Sequence, residues 1–257
     1  MLKKILNIFL SDIYKIDILR TFIVLTRFFY FYYIRRSIKY YMDPNKKIDD
    51  HIAIKKDNKI QTVISYNMHF VEEITNLKKT YKKFSGSKTA SLVFPLKAID
   101  FVNYESDKIL SVGPRNEGEL FLIRSQGFLW KNIFAIDLIT YSKLTKLGDI
   151  HQSEYSENFF DIIVCGWVLT YSNDFEKIID ELIRITKNKG LISIGFTYQP
   201  ETEKVNIYDQ NKKILKTTEQ IINKYKNNIM SVYFNADAYS INPKDKRHSI
   251  LIIRIKK

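Results

Sequence analysis

The chain has a single cysteine, Cys165, so no disulfide can form within it. That fits a reducing compartment and a fold held by an ordinary apolar core. No uninterrupted apolar run reaches the ~20 residues that a membrane-crossing helix needs. The most hydrophobic stretch, residues 21 to 34, is interrupted by Arg27 and bounded by Arg20 and by Arg35 and Arg36. Nor do residues 1 to 42 read as a secretory leader, because Asp12 and Asp17 lie within them and no small-residue cleavage site follows. Internal repeats and low-complexity tracts are absent as well. Hydrophobic residues make up 45% of the 257 positions. That is enough to build the core of one large domain, or of one domain with an extension, and it excludes wholesale disorder.

What is abundant is positive charge, a net of +13. Two readings of it stand. One is attraction to an anionic partner: a membrane surface, a nucleic acid or a phosphorylated substrate. The other is a compositional bias toward Lys, Ile, Asn and Tyr with no partner implied. Residues 1 to 42 hold eight Lys/Arg against two Asp, interleaved with aromatics. That pattern suits a helix lying on an anionic membrane, with tyrosines at the headgroup level; it suits equally a helix packed on the chain's own core or on a second subunit. Residues 43 to 88 are polar and Lys-rich. The expected organisation is therefore a basic, aromatic, largely helical extension over 1–88 and a folded domain over 89–257. The expected location is cytoplasmic, and peripheral membrane contact through 1–42 is one of the readings open for that segment.

From about Thr89 strands and helices alternate. Ser91 to Tyr104 reads as a lead-in helix interrupted by Pro95. Lys108 to Gly113 is a first strand and Glu117 to Gln126 a helix stopped by Gly127. Asn132 to Leu138 is a second strand, and Lys146 to Ile150 a weak strand or loop. Asn158 to Gly166 is a further buried strand. A helix starts at Asn173, with Glu176 three residues on in a capping-box arrangement, and ends at Gly190. Strands over 191–197, 230–234 and 249–255 and a helix over 216–225 complete the pattern. Continuous apolar strands alternating with helices predict an α/β fold, a mostly parallel sheet covered on both faces.

Several residues in this frame can carry chemistry. Gly113 turns the chain between a strand and a helix, where a ligand can approach backbone and free N–H groups closely. Asp137 ends the second strand 24 residues later, where an acid can accept hydrogen bonds from both hydroxyls of a ribose. Gly148-Asp149-Ile150-His151 follows; its acid can accept from the exocyclic amine of a base, and Ile150 can pack on the ring. His151 can act as a general base, its unperturbed pKa lying near neutrality. Cys165, Gly166 and Trp167 fall at the carboxyl end of a strand, where α/β sites open. The thiol itself has no basic neighbour to activate it as a nucleophile.

The order Ile-Leu-Ser-Val-Gly-Pro-Arg, Ala-Ile-Asp-Leu, Gly-Asp-Ile-His, Phe-Asp-Ile-Ile-Val-Cys-Gly-Trp-Val-Leu, an amphipathic helix and Lys-Gly-Leu-Ile-Ser-Ile-Gly resembles a class I S-adenosylmethionine-dependent methyltransferase of the small-molecule type. The resemblance covers about residues 105 to 198. It implies a Rossmann-like seven-stranded sheet whose last strand runs antiparallel, and S-adenosyl-L-methionine as cofactor. It implies that the Gly113 turn, with Pro114 and Arg115, lies against the cofactor's methionine part, where Arg115 can meet its carboxylate and Glu117 or Glu119 its ammonium. Asp137 with Leu138 would hold the ribose and Asp149 with Ile150 the adenine, while Cys165, Gly166 and Trp167 close the cleft. His151 and Tyr171 are the acid/base candidates.

The family's first loop usually carries three glycines, and here only Gly113 stands. Arg115 and Glu117 occupy the other two places, and Ser111 replaces the usual acid. No Asn-Pro-Pro-Tyr-like tetrapeptide follows the Cys165 strand, which weighs against methylation of nucleobase amino groups. The expected activity is methyl transfer to an oxygen or nitrogen of a small molecule, a sugar or a glycan intermediate. The alternatives are a non-catalytic binding or scaffold domain that kept the fold, and an RNA-directed methyltransferase. Oligomer formation is open.

Overall fold

The computed structural model describes residues 87–114, 117–140, 142–172, 174–198, 215–237 and 247–257, together with the backbone of 39–40, 53–56 and 59–62. The expected helical character of the 1–88 extension falls almost wholly outside these residues. Apart from Ser87 and Lys88, which begin a helix, the parts of it that are described are strands: Ala53–Lys56 pairs antiparallel with Lys59–Thr62, and Lys39–Tyr40 pairs antiparallel with Ile139–Thr140.

The main body is a seven-stranded sheet. Its strands are β1 (Ile109–Val112), β2 (Ile133–Asp137), β3 (Lys146–Leu147), β4 (Phe160–Gly166), β5 (Thr186–Tyr198), β6 (Ile229–Asp237) and β7 (Arg247–Ile255). Across the sheet they lie in the order β3-β2-β1-β4-β5-β7-β6. Strands β1 to β5 pair in parallel, and β7 runs antiparallel to both β5 and β6. The sequence expectation of a mostly parallel seven-stranded sheet with an antiparallel last strand is met.

Strand alternation sorts the core into two layers. Leu110, Val112, Ile163, Cys165, Ile192 and Ile194 point to one face, where helix α3 (Phe175–Ile185) and helix α4 (Thr218–Lys224) cover them. Ile109, Ile162, Val164 and Leu191 point to the other, against helix α1 (Ser87–Val93), the short helix Phe94–Ala98 and the end of helix α2 (Glu117–Ser125). Helix α3 shows why burial dominates. Its Ile178, Ile179 and Leu182 are fully buried on one stripe, and each such side chain contributes roughly 1.5–3 kcal/mol when removed from water.

Several element boundaries differ from the sequence reading, and three of the shifts have a visible cause. The lead-in helix is two pieces, because Pro95 falls within the first turn of the second and cannot donate to the preceding one. Helix α3 starts one residue later than expected: Asp174 is its N-cap, and its carboxylate accepts from the Lys177 N–H at 3.0 Å. Asn173 itself lies outside the described residues. The same helix ends at Ile185 rather than Gly190, since the N–H groups of Asn158 and Phe159 claim the carbonyls of Arg184 and Ile185 and draw the chain into β5.

Candidate active site

The carboxyl ends of β1, β2, β3 and β4 bring the sequence candidates to one edge of the sheet. Gly113 leaves β1 with a φ of +66°, a conformation that costs a side chain dearly. Its N–H donates to the Ile136 carbonyl at 2.8 Å, so the turn is fastened beside the end of β2. A Cβ on Gly113 would lie 2.3 Å from the Val168 Cγ2. The room that glycine leaves is thus used first by the chain itself, from the loop after β4. Pro114 behind it is buried; Arg115 lies outside the described residues.

Helix α2 begins at Glu117, and this is where the chain parts from the glycine-rich pattern. Glu117 is 1% exposed, and the Ser142 hydroxyl donates to its carboxylate. Its negative charge sits in the first turn of the helix, where unsatisfied N–H groups favour an anion. Glu119 accepts from the Thr89 hydroxyl at 2.5 Å, tying α2 to α1. Both acids therefore brace the loop with hydroxyls of their own chain.

Asp137, at the end of β2, is half-buried, and Leu138 follows it at a bend. Its carbonyl accepts from the Gly148 N–H at 3.0 Å, which fastens the next turn to it. In that turn Asp149 and Ile150 are 6% and 5% exposed. The Asp149 Oδ1 accepts from the His151 backbone N–H at 2.9 Å and lies 2.7 Å from the His151 Nδ1. On its other side the His151 Nε2 lies 2.7 Å from the Ser172 Oγ. Ser172, from the loop after β4, also accepts from the Asp174 N–H at 3.0 Å. A hydrogen-bonded chain thus runs Asp149–His151–Ser172 and joins the loops after β3 and β4.

At the end of β4, Gly166 is half-buried against Leu92, and Trp167 has a φ of +60°. That is an unusual backbone for a bulky residue, costing about 1–3 kcal/mol. The Trp167 N–H donates to the Gly195 carbonyl at 2.6 Å and holds the turn. The indole packs on Gly195, where a Cβ would meet its ring at 3.1 Å. The ring also lies 6.4 Å, edge on, from His248, whose Nδ1 is 2.8 Å from the Thr197 hydroxyl. Cys165, by contrast, is wholly buried in the core, and burial pushes its thiol up to about 12. It lines the floor beneath the edge and offers no thiolate. Tyr171 lies in a short helical turn, and its side chain is outside the described residues.

Ser172, Ser142, Val168, Thr197 and His248 were not among the sequence candidates. Each gains its place through a partner 25 or more residues away, or from the other side of a loop, and hydroxyl residues at such separations carry no local pattern. At the opposite end of β4, Asp161 accepts from the Lys108 N–H at 2.9 Å and from the Lys187 Nζ at 2.6 Å. It is a fastening of the sheet, remote from the candidate edge.

The residues present fit an adenosyl cofactor in one respect above all. A partly buried acid, Asp137, stands beside a left-handed glycine turn on adjacent parallel strands, an arrangement that can receive a ribose. Among the described residues no cluster of three or more His, Cys, Asp or Glu could hold a metal ion, and no helix is long and apolar enough to cross a membrane.

Residues 119–194 match the family model described as a methyltransferase domain. No curated protein matches the chain. Among solved structures, a phosphoethanolamine N-methyltransferase 2 from Haemonchus contortus, in complex with phosphomonomethylethanolamine and S-adenosylhomocysteine, aligns with a TM-score of 0.51 at 13% identity, over 66% of this chain and 53% of that one. The N-methyltransferase NodS from Bradyrhizobium japonicum, solved with S-adenosylhomocysteine, aligns with a TM-score of 0.47 at 15% identity over 67% and 86%. A structure from Listeria monocytogenes, described as a putative S-adenosylmethionine dependent methyltransferase, gives 0.48 at 12% identity over 66% and 100%.

Proposed function

We propose that this chain, an S-adenosylmethionine-dependent methyltransferase by its methyltransferase domain and its class I fold, methylates an oxygen or nitrogen of a sugar or glycan intermediate. The observation that carries the acceptor class is the Trp167 indole, set at the carboxyl end of β4 by a left-handed backbone and flanked by His248 and Thr197. An aromatic ring beside an imidazole suits a polyhydroxylated acceptor, because an aromatic plane can cover the C–H face of such a ring.

Bound S-adenosylmethionine supplies an electrophilic methyl group on a sulfonium. The chain's own part is to hold donor and acceptor in line and to exclude water. Asp137 accepts from the ribose hydroxyls, with Leu138 beside it. The Gly113 turn, with Pro114 and Arg115, borders the methionine part. Asp149 and Ile150 form the floor under the adenine, and Gly166 and Trp167 close the cleft toward the acceptor. The basic, aromatic residues 1–42 would bring the enzyme to a membrane that carries the acceptor, and the Lys39–Tyr40 pairing with Ile139–Thr140 leads that segment to within two residues of Asp137.

Calorimetry with S-adenosylhomocysteine tests the cofactor assignment. Wild type should bind, and Asp137→Ala should weaken binding about tenfold or more, the loss of a charge-assisted pair of hydrogen bonds. Absence of heat at millimolar ligand, or equal affinity in the variant, would sink it. Trp167→Ala should then raise the acceptor KM while leaving S-adenosylhomocysteine affinity in place.

A second reading is a scaffold domain that kept the fold without the activity. Its support is the loop at Gly113, where Val168 fills the glycine's open side and Glu117 is spent on Ser142. The calorimetric result separates the two. An RNA acceptor would show itself by binding that falls steeply with salt.

A further inference from the structure

Strand β6 is an edge of the sheet, and an unusually apolar one. Seven large apolar side chains of the described residues are exposed, and four of them, Met230, Val232, Tyr233 and Phe234, lie on β6 at 40–43%. A fifth joins them: the Phe101 ring, 38% exposed, is 5.9 Å from that of Tyr233. Apolar residues scattered singly over a surface are ordinary, but a contiguous group of five marks a contact.

The register with β7 shows how the group is arranged. Two bulges leave Met230 and Tyr233 without a partner residue on β7. Val232 stands opposite Ile253 and Phe234 opposite Ile252, and those two isoleucines belong to opposite faces of the sheet. The rim is therefore apolar on both faces. A protein packed on one face would leave the other in water, and bulges hinder the pairing of a further strand. A medium that surrounds the rim satisfies both faces.

The charge beside the rim is of one sign. Residues 186–198, 224–236 and 250–257, which take in β5 and most of β6 and β7, hold seven Lys/Arg and no Asp or Glu. Lys187 and Lys224 are engaged by Asp161 and Glu176. Lys189, Lys226 and Lys256 are exposed. The fold gathers them: the Arg254 Nε donates to the Lys189 carbonyl at 3.0 Å, and the Lys256 N–H donates at 2.7 Å to the carbonyl of Asn228, two residues from Lys226. The Arg254 guanidinium lies 3.9 Å from the centre of the Phe101 ring, so cations and apolar row form one surface. Asp100, beside Phe101, offsets one of these charges. A second copy meeting this surface across a twofold axis would set cation against cation.

We propose that the β6 rim is a docking surface for an anionic lipid membrane. Met230, Val232, Tyr233 and Phe234 enter the headgroup layer, and Lys189, Lys226, Arg254 and Lys256 meet lipid phosphates and carboxylates. Such an interface holds apolar and aromatic side chains flanked by Lys and Arg. The outward backbone groups of an edge strand keep it at that depth, since they need hydrogen-bond partners that hydrocarbon lacks. This docking uses the folded domain and needs neither the cofactor nor residues 1–42.

Flotation of the full-length chain with vesicles tests it. Vesicles of phosphatidylcholine with about one third phosphatidylserine should bind the wild type, and pure phosphatidylcholine should bind it at least about tenfold more weakly. Val232→Ser with Phe234→Ser should lower affinity for the anionic vesicles about tenfold, and so should Lys226→Glu with Lys256→Glu. The charge-reversed pair lies at exposed positions, so it reads the surface even where the apolar pair disturbs β6, and melting temperatures check both. Vesicle binding unchanged in a folded chain with Lys226→Glu and Lys256→Glu would overturn the proposal. So would a wild type that stays off the anionic vesicles or binds both kinds equally. Two further results would give the rim to another partner and overturn it as well. One is a wild-type dimer that the substitutions split with no change toward vesicles; the other is binding to a single-stranded RNA oligonucleotide that they lower while vesicle binding stays.

Discussion

The two ends of strand β4 are built from similar parts and do different things. At its amino end, Asp161 accepts from a backbone N–H and from a lysine. Beside it, the Lys257 Nζ donates to Asn158 and to the Arg184 carbonyl, and the Lys108 Nζ lies 3.9 Å from the centre of the Phe159 ring. Each anion or carbonyl there faces a permanent cation, and each contact ties one strand end to another. Beyond its carboxyl end, Asp149 also accepts from a backbone N–H and a nitrogen base, but that base is an imidazole and the chain closes on a serine. Left-handed backbone occurs at both ends, at Gly113 and Trp167 on the carboxyl side and at Asn158 and Lys189 on the amino side. The amino-end contact of Asp161 with Lys187 is a full charge pair, whereas the carboxyl-end chain fixes an imidazole between a carboxylate and a hydroxyl. The difference lies in the second partner, lysine against histidine.

Substitutions at the two ends should therefore separate stability from binding. The largest effect is expected at Gly113→Ala. The new methyl would carry a φ of +66° and meet Val168, adding about 2–5 kcal/mol of strain and overpacking. That is a fall in melting temperature on the order of 10 °C, with ligand binding lost in parallel. Asp161→Ala at the opposite end should cost about 1–2 kcal/mol by leaving the Lys108 N–H without its acceptor, and should leave S-adenosylhomocysteine affinity unchanged. If it weakened binding as well, the division between the two ends would be wrong.

The smallest effect concerns Glu181, which lies between them and joins α3 to the loop that follows His151. Burial pushes its carboxyl up, but hydrogen bonds from Arg184 and Ser153 outweigh burial and hold it below the usual carboxylate range. A depressed folded-state pKa stabilises the fold above the ordinary carboxylate value of about 4.3 and loses that contribution as the pH falls through the lowered value. Glu181→Gln should accordingly melt below wild type at neutral pH, and the gap should narrow in acid. A gap that stays constant down to about pH 3 would show that the charge is not the cause.

Much of this architecture is legible in the residues. The continuous apolar strands Ile109–Val112 and Phe160–Gly166, and the stripe Ile178, Ile179, Leu182 on α3, are local periodicities, and they placed the helices and parallel strands correctly. The helix that ends at Ile185 instead of Gly190 was less legible, because its termination depends on carbonyls captured by Asn158 and Phe159 from across the sheet. The candidate site divides in the same way. Gly113, Asp137 and the Gly148–His151 turn can be found by spacing alone. That Glu117 would be buried under Ser142, and that His151 would be gripped from both sides, could not.

By itself, the sequence determined the α/β class, the order of its elements and the strand ends at which a ligand could be held. It does so because burial periodicity and glycine conformation act over a few residues. Only the tertiary structure decided which side chains at those ends remain open to a ligand. Hydrogen-bond partners such as Ser142, Ser172 and Thr89 arrive from distant parts of the chain, and a polar group's chemistry is set by whichever partner the fold delivers to it.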